Sequence, residues 1–142
     1  MTDDNPAPTT MNHRKHAMTT QSHSSMRQAL LQRMVNYTVR LDAMLRALPP
    51  SLAKKKLQDQ LGRSGSSIGA NYAESGSAES LNDFIHKLSV ALKEAEETSF
   101  WLQCIQAEHP ENAEATALRL EVQEFVKILQ SSITTARRNA AT

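Results

Sequence analysis

The stretch that decides the fold reads Arg63-Ser-Gly-Ser-Ser-Ile-Gly-Ala-Asn-Tyr-Ala-Glu74. Apolar residues recur at helical spacing from Leu57 through Tyr72, and no proline interrupts them, which predicts a helix. A glycine inside a helix costs about 1 kcal/mol relative to alanine, so Gly65 and Gly69 require a structural reason. Because they are four residues apart, they share one helix face, on which a second helix can approach closely. The stretch therefore predicts tight packing of helix on helix.

A phosphate-binding loop is the alternative explanation for a segment rich in glycine and serine. A P-loop requires Gly-x-x-x-x-Gly-Lys-Ser/Thr, and a dinucleotide loop requires Gly-x-Gly-x-x-Gly after a strand. The glycines here, at positions 62, 65 and 69, match neither spacing, and no lysine follows them. We therefore expect no cofactor and no small-molecule substrate at this segment.

The composition of the 142-residue chain favours a single helical domain. Hydrophobic residues make up 39% of the chain but aromatic residues only 4%, so the core must be aliphatic. Leu, Ala, Gln, Glu, Lys and Arg are abundant, and these residues favour helix over sheet. The single cysteine excludes an internal disulfide and suits a reducing compartment, which predicts a cytoplasmic protein. No apolar run approaches the ~20 residues that cross a bilayer, so we expect no membrane partner.

Four helical segments follow from the periodicity and from the residues that stop helices. Their apolar stripes, at spacings of three to four residues, include Met26 in helix one, Leu81, Leu88 and Leu102 in helix three, and Leu118 in helix four. Their predicted limits are Ser24 or Ser25 to Leu48, Pro50 or Ser51 to the break at Ser75-Gly-Ser77, Ser77 or Ser80 to about Ala107, and Pro110 to about Arg138. Short connections between amphipathic helices predict an all-α, up-down-up-down antiparallel four-helix bundle spanning residues 24–140. Residues 1–23 show no periodicity and are predicted to form a disordered tail.

No arrangement of side chains in the sequence predicts catalysis or a metal site. Di-metal bundles carry a Glu-x-x-His motif on each of two helices, whereas this chain has only Asp83-Phe-Ile-His86, once. Cys104 lies inside a predicted helix without a nearby base, so a buried thiol is the simpler interpretation than a nucleophile. We expect neither an enzyme nor a resident metal.

Charge and exposed aromatic rings point instead to interaction. Helices one and two carry an excess of basic residues and helix three an excess of acidic ones, which favours head-to-tail contacts between subunits. Phe100 and Trp101 are adjacent, so they point about 100° apart on a helix, and one of them should lie outside the monomer core. A subunit interface that includes Trp101 and a partly exposed ring without a partner are the two interpretations of this position. The alternative partner is RNA or DNA, which the sequence predicts to be bound weakly through Lys54, Lys55, Lys56 and Arg63.

The segment from Leu61 to Glu74 resembles the signature of the bacterial "four helix bundle protein" family. This family is known from proteins encoded in intervening sequences of large-subunit ribosomal RNA genes, and from the accessory variability protein of diversity-generating retroelements. The segment from Asp83 to Leu102 resembles the family's helix three, with its aromatic-Ile pair and its Glu-x-x-Glu-Thr run. The similarity extends over roughly Met26 to Arg138.

The resemblance implies a bundle that assembles into a homopentameric ring. For the retroelement members it also implies binding of reverse transcriptase and nucleic acid through a strongly basic surface, from which this chain departs with a net charge of +1. The positions that match the family's close-packed face are Gly65, Ser67, Gly69 and Ala70. Asn71 and Glu74 match its Ala-Asn-x-Ala-Glu segment, where capping or inter-helix hydrogen bonds are expected.

Overall fold

The computed structural model describes residues 9–142, with the side chains from residue 17 onward except those of residues 52 and 53. Four helices account for nearly all of this part of the chain, which contains no strand. They are α1 (Thr9–Ala47), α2 (Leu52–Ser75), α3 (Leu81–Glu108) and α4 (Ala113–Ala140). Each helix packs on its neighbours in sequence, and α1 also meets α4. The predicted antiparallel four-helix bundle is confirmed.

Side-chain caps set the starts of three helices. Ser51 accepts a hydrogen bond from the backbone N–H of Lys54, and Ser80 accepts one from that of Asp83, as the sequence predicted. The start predicted for the fourth helix at Pro110 is wrong, because the helix begins at Ala113. Asn112 caps it instead, and Pro110 lies in the preceding turn.

Helix α1 is longer than the apolar pattern predicted. It begins at Thr9, so it includes residues 9–23 of the predicted tail; residues 1–8 lie outside the described residues. Neither proline nor glycine occurs between Thr9 and Ala47, so nothing in the sequence stops the helix. Residues 17–26 are all exposed, which explains why no apolar stripe marks this part of α1.

The predicted apolar stripes form one continuous core, with two exceptions. Met26 and Leu81, which the periodicity placed in the stripes of helices one and three, are 68% and 43% exposed. Leu81 is the first residue of α3, and Met26 lines an open hollow between α1, Tyr72 of α2 and Ile128 of α4. The fully buried large side chains include Tyr37, Leu61 and Phe125.

The two glycines of α2 allow α1 to approach closely. A Cβ atom built on Gly65 would lie 2.1 Å from Cδ2 of Leu41, and one built on Gly69 would lie 3.2 Å from Cβ of Met34. Gly62, on the same helix, has nothing within 4 Å of its Cβ position. The close approach of α1 and α2 therefore depends on positions 65 and 69 and not on position 62.

Within residues 9–142, no helix is long and apolar enough to cross a membrane.

Candidate interaction surfaces

The other small and polar residues predicted on the packing face of α2 lie away from α1. Ala70 is exposed, and the hydroxyl of Ser67 donates to the backbone of its own helix. Asn71 also bonds within α2, donating to the carbonyl oxygen of Ser67 at 2.8 Å. Glu74 reaches the next helix, where Lys87 donates to its carboxylate at 2.7 Å. Of the six α2 positions, the structure places the two glycines against α1 and Glu74 against α3.

The four residues predicted to contact nucleic acid do not form a free basic surface. The ammonium group of Lys54 donates to the carbonyl oxygens of Arg46 and Leu48, at 3.0 and 2.6 Å. It thereby satisfies carbonyl groups that the end of α1 leaves unpaired before the two prolines. Lys55 and Lys56 are exposed and have no partner among the described residues.

Arg63 bridges α2 to the acidic helix α3. Its guanidinium donates to Glu94 at 3.2 Å and to Glu97 at 2.6 Å. The hydrogen bond from Arg63 holds the pKa of Glu97 below its ordinary value, and the indole N–H of Trp101, which donates to the same carboxylate at 3.2 Å, acts in the same direction. Trp101 is half-buried through this contact. The basic and acidic sides that the sequence predicted neutralise each other within the monomer here.

Phe100 is the aromatic residue that points outward from α3. It is 55% exposed and packs edge-on against Trp101, with ring centroids 5.1 Å apart and an interplanar angle of 69°. Together the two rings form an apolar projection on the surface, which we call the Phe100–Trp101 pair. As the spacing predicted, one ring faces solvent while the other is partly covered.

A row of ion pairs joins α1 to α4, where the helix backbones approach each other less extensively than elsewhere in the bundle. Glu121 is central, because it binds Arg33 with one carboxylate oxygen at 3.2 Å and Arg40 with the other at 2.5 Å. Glu124 pairs with Arg33, and Glu114 pairs with Arg40 at 3.0 Å. The hydrogen bond to Glu121 raises the pKa of Arg40 above its ordinary value. We call this row the α1–α4 ion-pair seam.

Tyr37 anchors the same seam from inside. Its hydroxyl donates to the carbonyl oxygen of Leu118 at 2.9 Å, and its ring packs edge-on against Phe125. Burial raises the pKa of Tyr37 far above its ordinary value, so the phenol remains a donor. Because a buried hydroxyl needs a partner, this bond fixes how α1 sits on α4.

The seam was not predicted from the sequence, although a signal for it exists. Arg33 and Arg40 are seven residues apart, and so are Glu114 and Glu121. A spacing of seven puts both members of a pair on one helix face. Two such pairs of opposite charge indicate contact between antiparallel helices, but only if those helices are known to be neighbours.

One polar contact crosses the core between α2 and α3. The hydroxyl of Thr98 donates to that of Ser64 at 3.0 Å, and both side chains are fully buried. Ser64 in turn donates to the carbonyl oxygen of Leu61. A small residue at position 64 therefore serves both a close helix contact and a satisfied polar pair.

The described side chains include no group of three or more His, Cys, Asp or Glu positioned to hold a metal ion. Cys104 is a free, half-buried thiol.

Comparison with known proteins agrees with the fold and with the resemblance seen in the sequence. The 23S rRNA-intervening sequence protein family matches residues 27–131. A crystal structure of a protein with unknown function, from the S23 ribosomal protein family of Bacteroides thetaiotaomicron, is similar at 32% identity and a TM-score of 0.66. That similarity covers 76% of this chain and 97% of the other. No curated protein is similar enough to count as a relative. The chain belongs to the 23S rRNA-intervening sequence protein family.

Proposed function

We propose that this protein is a non-enzymatic interaction module of the cytoplasm that assembles with copies of itself, as a homopentameric ring. The Phe100–Trp101 pair carries the proposal. Adjacent aromatic rings, one of them more than half exposed, are typical anchors of protein interfaces. A ring also needs a heterologous contact, in which this pair would meet a different surface of the next subunit.

The non-enzymatic part of the proposal is supported by the surroundings of the carboxylates. Glu94 and Glu97 both bind Arg63, and Glu74 binds Lys87. Acid–base catalysis by two carboxylates requires groups that face a shared site with pKa values pushed apart. Here the carboxylates are ion-paired on the surface of the bundle, which is a structural arrangement.

Light scattering coupled to size-exclusion chromatography tests the assembly. We expect a mass near five times the 15.8 kDa monomer. Phe100→Ser should lower that mass towards the monomer without changing the helical circular dichroism signal. Met18→Ser is the matched control, because Met18 is 72% exposed on the projecting part of α1, and it should leave the mass unchanged. A monomeric wild-type protein at micromolar concentration would overturn the proposal.

A nucleic-acid-binding accessory role, with RNA, DNA or a reverse transcriptase as partner, is the second candidate. Lys55 and Lys56 support it, since both are exposed and unpaired among the described residues. Lys54 and Arg63 weigh against it, because binding a phosphate would require them to break the bonds described above. We therefore rank it second and expect any binding through these residues to be weak and sensitive to salt.

Fluorescence anisotropy with a labelled single-stranded RNA tests this second role. Each phosphate contact that is lost should reduce the slope of log affinity against log salt by about 0.7. A Lys55→Ala/Lys56→Ala variant should therefore lose about 1.4 of that slope if both lysines contact RNA. Tight binding that persists at physiological salt would reverse our ranking, and no binding at low salt would eliminate the role.

A further inference from the structure

Most of the described cations that have no partner lie outside the four residues that the sequence predicted to contact nucleic acid. Arg33, Arg40 and Arg63 are neutralised by glutamates of a neighbouring helix, whereas Arg27 donates to the carbonyl oxygen of Tyr72 and to the hydroxyl of Ser75. Among the described residues, the cations without any partner are Lys55, Lys56, Lys93, Arg119, Lys127, Arg137 and Arg138. Five of these seven lie on α3 and α4, where Glu96 and Glu108 of α3 are also without a partner among the described residues.

Three of these cations line a depression between α3 and α4. It consists of two adjoining hollows of about 330 and 370 Å³, which share Glu96 and Gln130. Lys127 lines the first hollow, and Lys93 and Arg137 line the second. We call this depression the α3–α4 trough. Along α4 it extends from residue 123 to residue 137, a length of roughly 21 Å at 1.5 Å per residue.

The trough has an apolar floor below its charged rims. Val126 lines the first hollow, and Leu92 and Ile133 line the second. Val126 and Leu92 are partly buried against the core, and Ile133 is almost fully buried. Partly exposed aliphatic side chains between lysines and an arginine offer apolar and electrostatic contacts side by side. This combination is what the apolar face and acidic edges of an amphipathic helix require.

The lining favours a protein helix over a nucleic acid. Single-stranded nucleic acid binds where bases stack on aromatic rings, and none of the described residues that line the two hollows is aromatic. Glu96 stands at the junction of the hollows, where it would repel a phosphate chain but could pair with a single lysine or arginine of a peptide. About 14 residues of helix, close to four turns, fill a trough of this length.

We propose that the α3–α4 trough binds an amphipathic helix of a partner protein, with apolar residues on its buried face and acidic residues along its edges. The inference rests on the proposed function only in treating the bundle as an interaction module. It does not depend on the ring, and the two are tested by different variants.

Anisotropy with a synthetic helix tests the trough. The probe is a fluorescein-labelled peptide of about 18 residues, with leucine and alanine at helical spacing and glutamate along both edges. A second peptide carries lysine in place of every glutamate, and a third probe is poly-uridine RNA. The protein is the full chain as wild type, as a Lys127→Glu/Arg137→Glu variant, and as a Lys55→Glu/Lys56→Glu control of equal charge change. All four substituted residues are exposed, so the fold should tolerate both variants.

The acidic peptide should bind wild type saturably at about 50 mM salt and more weakly at about 150 mM, because salt screens exposed charges. An exposed ion pair changes affinity about 1.4- to fivefold, and reversing a charge replaces an attraction by a repulsion. Reversing two charges in the trough should therefore weaken binding at least about fourfold. The control should change affinity less than about twofold. The lysine peptide should bind the trough variant better than wild type, which general loss of folding cannot produce.

Three results would overturn the proposal. The first is no saturable binding of the acidic peptide up to about 1 mM, which corresponds to less than about 4 kcal/mol. The second is equal weakening in the trough variant and the control, which would mean that only net charge matters. The third is tighter binding of poly-uridine than of the acidic peptide with the same loss in the trough variant, which would assign the trough to nucleic acid.

Discussion

Adding one methyl group at each of three glycines of α2 should change stability with different signs. Gly62→Ala, Gly65→Ala and Gly69→Ala all gain the helix propensity of alanine, worth about 1 kcal/mol. Only the surroundings of the new Cβ atom differ among them. The three substitutions therefore separate the packing of α1 on α2 from the intrinsic preference of the chain for helix.

The structure gives a magnitude for each site. At Gly62 the new methyl group meets nothing within 4 Å, so the variant should be more stable by about 0.5–1 kcal/mol. At Gly65 it would lie 2.1 Å from Cδ2 of Leu41, which is 1% exposed and cannot move without displacing other core side chains. Overpacking of this kind costs about 1–3 kcal/mol, so a net loss of about 0–2 kcal/mol remains after the gain in propensity.

Gly69 lies between these two cases. Its new methyl group would be 3.2 Å from Cβ of Met34, so a shift of a few tenths of an ångström suffices and Gly69→Ala should be nearly neutral. Gly69→Leu adds three further carbons against α1 and should lose about 1–3 kcal/mol. The expected order of stability is Gly62→Ala, then wild type and Gly69→Ala, then Gly65→Ala and Gly69→Leu.

Thermal and urea unfolding followed by circular dichroism measure this order. For a chain of this size, 1 kcal/mol corresponds to about 3–5 °C in Tm. Protein concentration must be held constant, because self-association would make the Tm depend on it. If Gly65→Ala were as stable as Gly62→Ala, α1 would not require the absence of a side chain at position 65. An unchanged Tm for Gly69→Leu would refute the close contact at position 69.

Three further predictions concern ion pairs and a helix end. Glu121→Gln removes the carboxylate that two arginines share and should lower the free energy of unfolding by about 1–2 kcal/mol in urea titrations, with a smaller difference at about 1 M salt. The pKa of Glu97 is lowered in the folded state, so its pairing with Arg63 stabilises the fold above the unfolded pKa of about 4.3. This stabilisation is lost as the pH falls through the lowered pKa of the folded state, and Glu97→Gln should flatten that part of the pH–stability curve. Lys54→Met keeps the aliphatic stem but leaves the carbonyl of Leu48 without its donor. The free energy of unfolding in urea should fall by about 1 kcal/mol, the contribution of one hydrogen bond. No change would mean that water replaces the lysine.

The sequence by itself determined the four helices and most of their core. Apolar spacing identified Leu88, Leu102 and Leu118 as core residues, and all three are fully buried. Ser51 and Ser80 marked two helix starts correctly, because a capping side chain acts on backbone groups only three residues away. These features depend on local periodicity and local hydrogen bonds, which the order of residues specifies directly.

Where local signals were weak or absent, the prediction failed. The start of α1 could not be placed, because an exposed helix has no apolar stripe to mark it. Asn112 took precedence over Pro110 at the start of α4, although both residue types begin helices. The exposed positions of Met26 and Leu81 depended on how closely the neighbouring helices pack there, which no window of sequence contains.

Only the tertiary structure decided which charges are free. From the sequence, helices one and two were basic, so Lys54 and Arg63 were candidate contacts for the alternative partner, a nucleic acid, while helix three was acidic. Packing placed α1 beside the glutamates of α4, and placed Arg63 beside Glu94 and Glu97. These ion pairs join residues that are separated by 31 to 91 positions along the chain. The sign of a helix's net charge is therefore a property of its sequence, whereas the sign of the charge on a surface depends on which helices are neighbours.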